Sequence, residues 1–235
     1  TTTDAAGNPG SASDTESYTV DLSVPSVVVD IVDAALNLAD ASSLVTFTFS
    51  EAPLGFELAD ITAVGGTVSG LAVTANPLVY NATFTATAGF TGGGSVTVAA
   101  SSYTDAAGNP GTGNADTVAI DLVAPAPTIT LAANITADDI LNAAEAASTI
   151  AITGTVAGDA QVGDTVTLTI NGATFTGLVA AGLTFSIDVP GSDLAADIDR
   201  TIDASVTTTD AAGISDSASA TEFYTVDVTA PVPTI

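Results

Sequence analysis

Hydrophobic and polar residues alternate with a period of two along most of this chain, which is typical of strands with one buried face. The alternation is clearest in residues 45–50, 165–170 and 185–189. Turn-forming runs such as "GDAQVGD" and "AAGL" separate the alternating segments. The pattern predicts an all-β fold of tandem immunoglobulin-like β-sandwich domains, each with about seven antiparallel strands. Residues 137–147 and the run "GSDLAADIDR" predict single helical turns that serve as connectors.

An internal repeat divides the chain. The run "TDAAGNPG" occupies residues 3–10 and 104–111, and a diverged copy, "TDAAGISD", occupies residues 209–216. Each copy is followed by a predicted strand with a shared ending, "YTVDLSVPS" from Tyr18, "TVAIDLVAPAPTI" from Thr117 and "YTVDVTAPVPTI" from Tyr224. Proline ends a strand and stiffens the chain after it, so Pro25, Pro125 and Pro231 mark predicted domain boundaries.

These boundaries predict four segments. Residues 1–24 form the last hairpin of a preceding repeat, and residues 25–124 form the first immunoglobulin-like domain. Residues 125–229 form the second domain, and residues 230–235 begin a following repeat. Because repeats stack only on their neighbours, we expect the adjoining repeats of the same chain to be its main partners.

Charge and composition exclude many functions. The 235 residues include 27 Asp and Glu but a single basic residue, Arg200, and no His or Cys. Without His, Cys or Lys the usual proton shuttles and nucleophiles are missing, so we expect no enzyme. The net charge of −26 repels nucleic acid and anionic membranes. No stretch is apolar enough to insert into a membrane.

The available ligands are oxygens, which favours calcium as the bound cofactor. In each acidic turn, the Asp side chain is expected to accept hydrogen bonds from amides of the turn, while Gly supplies a positive φ. At the end of the sandwich where the chain enters, Asp21 should approach Asp105, with Glu51 nearby. By the same reasoning Asp121 should approach Asp210, and Asp227 takes the corresponding place in the third copy. Calcium between such carboxylates would offset their repulsion.

A second acidic cluster lies within eight residues of the second domain. It contains Asp138, Asp139, Asn142 and Glu145. The spacing differs from an EF-hand, which needs a central Gly and a Glu at position twelve. Both a calcium site and an ordinary solvated acidic loop are compatible with this composition.

Several runs resemble the bacterial immunoglobulin-like repeats of giant cell-surface adhesins, of the biofilm-associated, type I-secreted (RTX) kind. They include "VTFTFSEAPLGFELADI" in the first domain and "GDTVTLTINGATFTG", "FSIDVPGSDLAAD" and "YTVDVTAP" in the second. The resemblance spans nearly the whole chain, and the order of the motifs is more specific than any one of them. Ile214 departs from it, since Asn8 and Asn109 occupy this turn position elsewhere.

The resemblance implies a non-catalytic extender region that is extracellular, at the bacterial cell surface. Calcium at the seams would make the array rigid, and the array would hold a distal binding module, of unknown ligand, in cell adhesion and biofilm formation. Two alternatives stay open: a self-assembling extracellular filament subunit completed by strand donation, and a ligand-binding adhesion module. A glycosidase-like enzyme with paired carboxylates lacks a visible pocket-forming insertion.

Overall fold

The computed structural model describes residues 2–231, of which strands form the largest part. About 52% of the structure is strand and 6% is helix, which confirms the all-β fold of immunoglobulin-like sandwiches. The helical turns predicted within residues 137–147 and "GSDLAADIDR" are present as α1 (Ala143–Ala146) and α2 (Gly191–Ala196).

The first sandwich contains eight strands in two four-stranded sheets. The chain begins with a small antiparallel pair, β1 (Thr2–Thr3) and β2 (Pro9–Gly10). The strands of the sandwich are β3 (Val27–Ile31), β4 (Ala35–Asn37), β5 (Ser42–Phe49), β6 (Ile61–Val64), β7 (Gly66–Val73), β8 (Val79–Ala86), β9 (Thr91–Val98) and β10 (Asn114–Asp121). They are ordered β3-β5-β8-β7 and β4-β10-β9-β6. In β5, Val45, Phe47 and Phe49 are buried in alternation with more exposed polar residues, as the period of two predicts.

The second sandwich contains nine strands. They are β11 (Pro127–Leu131), β12 (Ile140–Asn142), β13 (Thr149–Gly158), β14 (Thr165–Ile170), β15 (Ala173–Leu178), β16 (Thr184–Pro190), β17 (Thr201–Thr209), β18 (Ser215–Phe223) and β19 (Thr225–Asp227). The sheet orders are β11-β13-β16, β15-β14-β17-β18 and the short pair β12-β19. Val166, Leu168, Ile202 and Val206 are fully buried at the centre of one apolar core.

Two short strand pairs differ from the expected all-antiparallel arrangement. β10 pairs with β4 in parallel, and β19 pairs with β12 in parallel. In both sandwiches the last strand is thus held by a short segment that follows the first strand. Such non-local pairing leaves no signature in the alternation of either segment, because alternation reports burial and not strand direction.

The strand predicted from Tyr18 does not form, and residues 11–26 have no regular structure. The described residues offer this segment no neighbouring strand, and a strand is stable only when another strand satisfies its backbone hydrogen bonds. The predicted hairpin at the start of the chain is therefore limited to β1, the acidic turn and β2. Of the predicted segment 230–235, residues 232–235 lie outside the described residues.

The chain divides into two compact units. The first comprises residues up to Ala34 with Ser43–Thr85 and Gly94–Val118, and the second comprises Ala35–Ser42, Ala86–Gly93 and the residues from Ala119 on. The domain boundaries at Pro25 and Pro125 stay a prediction. Among residues 2–231, no helix has the length and apolar character needed to cross a membrane.

Candidate metal centre

The three copies of the acidic turn share one hydrogen-bond pattern. In each, an Asp Oδ1 accepts hydrogen bonds from the amides two and four residues later, at 2.8–2.9 Å. The glycines of the turns, Gly7, Gly108 and Gly213, have φ values of +85°, +90° and +79°. The expected role of Asp4, Asp105 and Asp210 in capping their own turns is confirmed by these bonds.

The Asn of the turn adds a second interaction in the first two copies. Asn109 Nδ2 donates to Asp105 Oδ2 at 2.8 Å, and Asn8 does the same to Asp4 at 3.0 Å. This side-chain hydrogen bond, with those from the turn amides, lowers the pKa of Asp105 and of Asp4 below their usual value. In the third copy Ile214 replaces the Asn, yet the backbone bonds of the turn to Asp210 are kept. The substitution thus removes a side-chain donor without changing the turn.

A second group of aspartates ends the shared strand motif. The Oδ1 atoms of Asp21, Asp121 and Asp227 each accept a hydrogen bond from the amide two residues later, at 2.9, 3.2 and 3.0 Å. Asp227 Oδ1 also accepts from the Thr229 hydroxyl, and these bonds lower the pKa of Asp227. This short turn, in which an aspartate accepts a hydrogen bond from the amide two residues later, explains why an aspartate precedes Pro25, Pro125 and Pro231 in all three copies.

Asp21, Glu51 and Asp105 come together in the first unit. One carboxylate oxygen of each lies within 4.8 Å of the other two. Asp105 is buried, Glu51 is half-buried and Asp21 is exposed, so the group opens to solvent on one side. Asn109 spans the group, since its Nδ2 donates to the Asp21 carbonyl at 3.1 Å as well as to Asp105. The arrangement offers several hard oxygens at a spacing that suits a divalent cation.

Aromatic packing fixes the turn that carries Asp105. Tyr103, two residues earlier, packs edge-on against Phe49 with ring centroids 5.0 Å apart. Its hydroxyl donates to the carbonyls of Thr112 at 3.0 Å and Pro25 at 3.3 Å. Because Pro25 follows Asp21 by four residues and Phe49 precedes Glu51 by two, one buried tyrosine holds all three carboxylate-bearing segments.

The single basic residue lies elsewhere. Arg200 Nη1 donates to the carbonyls of Leu194 and Ala195 at the end of α2, at 3.1 and 2.9 Å. The chain has no other Lys, Arg or His to neutralise its carboxylates. The Asp21–Glu51–Asp105 group must therefore be stabilised by amide donors, by water or by a bound cation.

Asp121 and Asp210 belong to the second unit and line one hollow of about 220 Å³ together with Asp159. Asp121 Oδ1 accepts from the Thr91 hydroxyl at 3.0 Å, and Asp159 Oδ2 accepts from the Ala126 amide at 2.9 Å. In the described part of the chain, these three do not meet the mutual 4.8 Å spacing that Asp21, Glu51 and Asp105 do. Sequence reasoning missed Asp159, although it directly follows β13 much as Glu51 follows β5.

The acidic loop of the second sandwich bonds mainly to itself. Asn142 and Glu145 form a capping box at α1, in which Asn142 Oδ1 accepts from two amides and Glu145 accepts from the Asn142 amide at 3.0 Å. Asp138 accepts from the Ile140 amide, and Asp139 adopts a φ of +62°. Through the β12–β19 pair, Asn142 is the register partner of Asp227. Calcium binding by this loop stays a prediction.

The fold and these repeated acidic turns define a tandem immunoglobulin-like sandwich protein. A bacterial Ig-like domain family model matches residues 21–122. The chain belongs to the bacterial immunoglobulin-like repeats of large adhesins.

Three solved structures illustrate the relationship. The chain is 34% identical to a 1.5-MDa bacterial ice-binding adhesin studied for host cell surface retention, over 97% of this chain and 72% of that one, with a TM-score of 0.60. It is 33% identical to a Ca²⁺-stabilised adhesin of an Antarctic bacterium that binds ice, over 90% of this chain and 51% of that one, also with a TM-score of 0.60. An immunoglobulin-like domain of the M. primoryensis ice-binding adhesin is 48% identical over 44% of this chain and 98% of that one, with a TM-score of 0.40. No curated protein matches the sequence.

Proposed function

We propose that this chain is a non-catalytic extender region of a bacterial surface adhesin and that calcium stiffens it where consecutive repeats meet. It would act outside the cell, holding a distal binding module away from the surface in cell adhesion and biofilm formation. The observation that carries this proposal is the group of carboxylates Asp21, Glu51 and Asp105 within 4.8 Å of one another. Outside the cell, calcium is the hard cation available at high concentration to such a group.

The position of the group gives the proposed ion a mechanical role. Asp21 lies on the segment that leads into the first sandwich, whereas Glu51 and Asp105 follow β5 and β9 of that sandwich. An ion bound by all three would cross-link the incoming segment to the sandwich. Calcium takes six to eight oxygen ligands, so backbone carbonyls and water would complete the shell. The Ca²⁺-stabilised relative supports calcium over other divalent ions.

Each added repeat would lengthen the arm by roughly one strand length. The longest strands of the first sandwich have eight residues, about 26 Å at the rise of an extended strand. Proline after each shared strand limits bending of the segment. Without calcium, repulsion between the carboxylates would turn the same segment into a hinge.

Thermal unfolding with calcium titrated against a chelator tests the ion directly. A ligand that binds only the folded state at a hundredfold its dissociation constant stabilises by about 2.7 kcal/mol, which is a large rise in melting temperature. We expect Glu51→Gln to lose most of this calcium-dependent rise, while Glu222→Gln, a matched change outside the group, should keep it. Equal melting temperatures with calcium and with chelator would refute calcium binding.

Small-angle scattering tests the stiffening separately. Chelation should leave the strand content unchanged by circular dichroism while it broadens the distribution of interatomic distances. Identical scattering curves in calcium and in chelator would reject the mechanical role, even if the melting temperature shows that calcium binds.

The filament alternative has one observation in its favour. The segment around Tyr18 exposes apolar side chains and pairs with no strand among residues 2–231. If the chain assembles by donating this segment, sedimentation velocity should show oligomers that grow with concentration. A monomer across the concentration range favours the extender.

A further inference from the structure

The segment Tyr18–Val24, here called the linker segment, carries the pattern of a buried strand but lies in solvent. Tyr18, Val20 and Leu22 are 84%, 66% and 81% exposed. They alternate with Thr19, Asp21 and Ser23, so all three would face the same side of an extended strand. An exposed row of large apolar side chains is costly unless another surface covers it.

The corresponding last strands of the two sandwiches show how such a segment packs when it has partners. Aligned on the aspartates that end the motif, the linker segment reads "YTVD" at residues 18–21, β10 reads "VAID" at residues 118–121, and the end of the second sandwich reads "YTVD" at residues 224–227. The linker segment is therefore identical to the second sandwich at all four positions. Over these four positions it matches the first sandwich only at the aspartate. One residue later Leu22 matches Leu122 of the first sandwich, which is buried, whereas the second sandwich has Val228, which is exposed.

The first three of the four shared residues make defined contacts in the second sandwich. Tyr224 is 3% exposed, and its hydroxyl lies 2.8 Å from the Leu194 carbonyl and 3.0 Å from Asp197 Oδ2. The amide and hydroxyl of Thr225 donate to the Asp139 carbonyl at 3.2 and 3.1 Å. Val226 packs against the apolar core. Tyr18, Thr19 and Val20 carry the same side chains but make none of these contacts with the described part of the chain.

The connection before the motif also follows the second type. Asp21 lies 17 positions after Asp4 and Asp227 lies 17 positions after Asp210, whereas Asp121 lies 16 positions after Asp105. The spacing of the linker segment is therefore that of the second sandwich and is one residue longer than that of the first, in which Val118 and Ile120 are buried. Side chains and spacing thus agree independently.

We infer that the linker segment is the closing strand of a third immunoglobulin-like unit of the second-sandwich type, outside this sequence. Both sandwiches of this chain already hold their own closing strands, β10 and β19, so neither has room for it. The partner unit offers a short parallel strand like β12 and a helical turn like α2. Below that turn it has a buried aspartate placed as Asp197 is, to accept from the Tyr18 hydroxyl.

A unit of the first type fits this strand poorly. At the position of Tyr18 it has Val118, which is 2% exposed in a core already packed. Placing a tyrosine there would overpack the core and leave the hydroxyl without the carbonyl and carboxylate that the second type supplies. A unit of the second type should therefore bury the linker segment, whereas a unit of the first type should not.

Hybrid chains test the inference. In the first hybrid, residues 125–209 replace residues 1–3, so that the linker segment becomes the closing strand of an added second-type unit. In the second hybrid, residues 25–104 replace residues 1–3 and give an added first-type unit. Both joins preserve a Thr-Asp pair that exists in the chain. Because the chain has no cysteine, Val20→Cys gives one thiol whose labelling rate reports burial of the segment.

We expect the thiol of Val20→Cys to be labelled roughly a hundredfold or more slowly in the first hybrid than in the chain without an added unit. Protection of this size is typical of a residue that becomes accessible only when its domain unfolds. The second hybrid should label nearly as fast as the chain without an added unit. Equal protection in both hybrids would overturn the assignment to the second type.

A third hybrid keeps the test decisive. It carries residues 125–230 before residue 25, so that the added unit has its own closing strand, and calorimetry on it reports whether the added body folds. Fast labelling of the first hybrid while the third folds overturns the proposal.

Concentration-dependent dimers of the unmodified chain by sedimentation velocity would also overturn it, since a second copy would then occupy the segment. All labelling is measured in calcium and in chelator, so that a failure of calcium binding is distinguishable from a failure of strand pairing.

Discussion

Removal of one hydroxyl, by Tyr224→Phe, tests how the last strand of the second sandwich is held. The hydroxyl has a single proton, which it shares between the Leu194 carbonyl at 2.8 Å and Asp197 Oδ2 at 3.0 Å. Neither acceptor is orphaned by the change, because Arg200 Nη1 still donates to Leu194 and the Thr201 amide still donates to Asp197. The expected cost is therefore that of one buried hydrogen bond to a charged network, about 1–2 kcal/mol.

The size of the unfolding unit converts this cost into a melting temperature. For a domain of about 100 residues, 1 kcal/mol lowers the melting temperature by roughly 4–8 °C. We therefore expect a fall of about 4–16 °C in the transition of the second sandwich. Tyr224→Ala, which also opens a cavity, should cost about 3–5 kcal/mol.

Differential scanning calorimetry measures the change, and hydrogen exchange assigns each transition to a sandwich. Tyr18→Phe is the matched control, because Tyr18 is 84% exposed and its hydroxyl has no partner among the described residues. A Tyr224→Phe variant as stable as the Tyr18→Phe variant would refute the idea that this hydroxyl anchors the closing strand.

Three further changes probe the titrating groups and the acidic turn. Burial, and then the hydrogen bond with Asp197, raise the pKa of Tyr224. The contribution of this tyrosine to the stability of the second sandwich should therefore be complete below pH 10 and fall as the pH rises beyond it. Urea titrations should show this loss in the unmodified chain and not in Tyr224→Phe. The hydrogen bond from the Asn109 side chain is the largest cause of the lowered pKa of Asp105. The lowered pKa contributes stability above about pH 4 that is lost on acidification, so Asn109→Ala should move the acid unfolding midpoint of the first sandwich to higher pH. An unchanged midpoint would contradict this. Gly108 has a φ of +90°, so Gly108→Ala should cost about 1 kcal/mol or more in chemical denaturation, whereas Gly93→Ala, also with open space around the added methyl group, should not suffer this strain.

Local features of this protein were accessible from sequence because their causes are local. The alternation of Val45, Phe47 and Phe49 with polar residues required only the geometry of a strand to predict their burial. The acidic turns were equally readable, since Asp105 bonds to amides within four residues of itself. The sequence also predicted that Asp21 lies near Asp105, because both residues belong to the end of the sandwich where the chain enters.

Other features depended on the tertiary structure. The parallel pairing of β4 with β10 and of β12 with β19 joins segments about 85 residues apart, and neither segment encodes the direction of its partner. Asn142 and Glu145 have the composition of a cation site, and in the fold they also form the capping box of α1. Composition cannot separate these roles, since the same oxygens accept from amides or bind a cation.

The linker segment shows the limit most clearly. Its sequence predicts a strand, yet Tyr18 lies in solvent, while Tyr224 at the same position of the identical motif is buried. The residues by themselves determined which side of a strand would be apolar. Only the tertiary structure decided whether a strand formed, because backbone pairing and burial both need a neighbouring surface that one segment cannot supply.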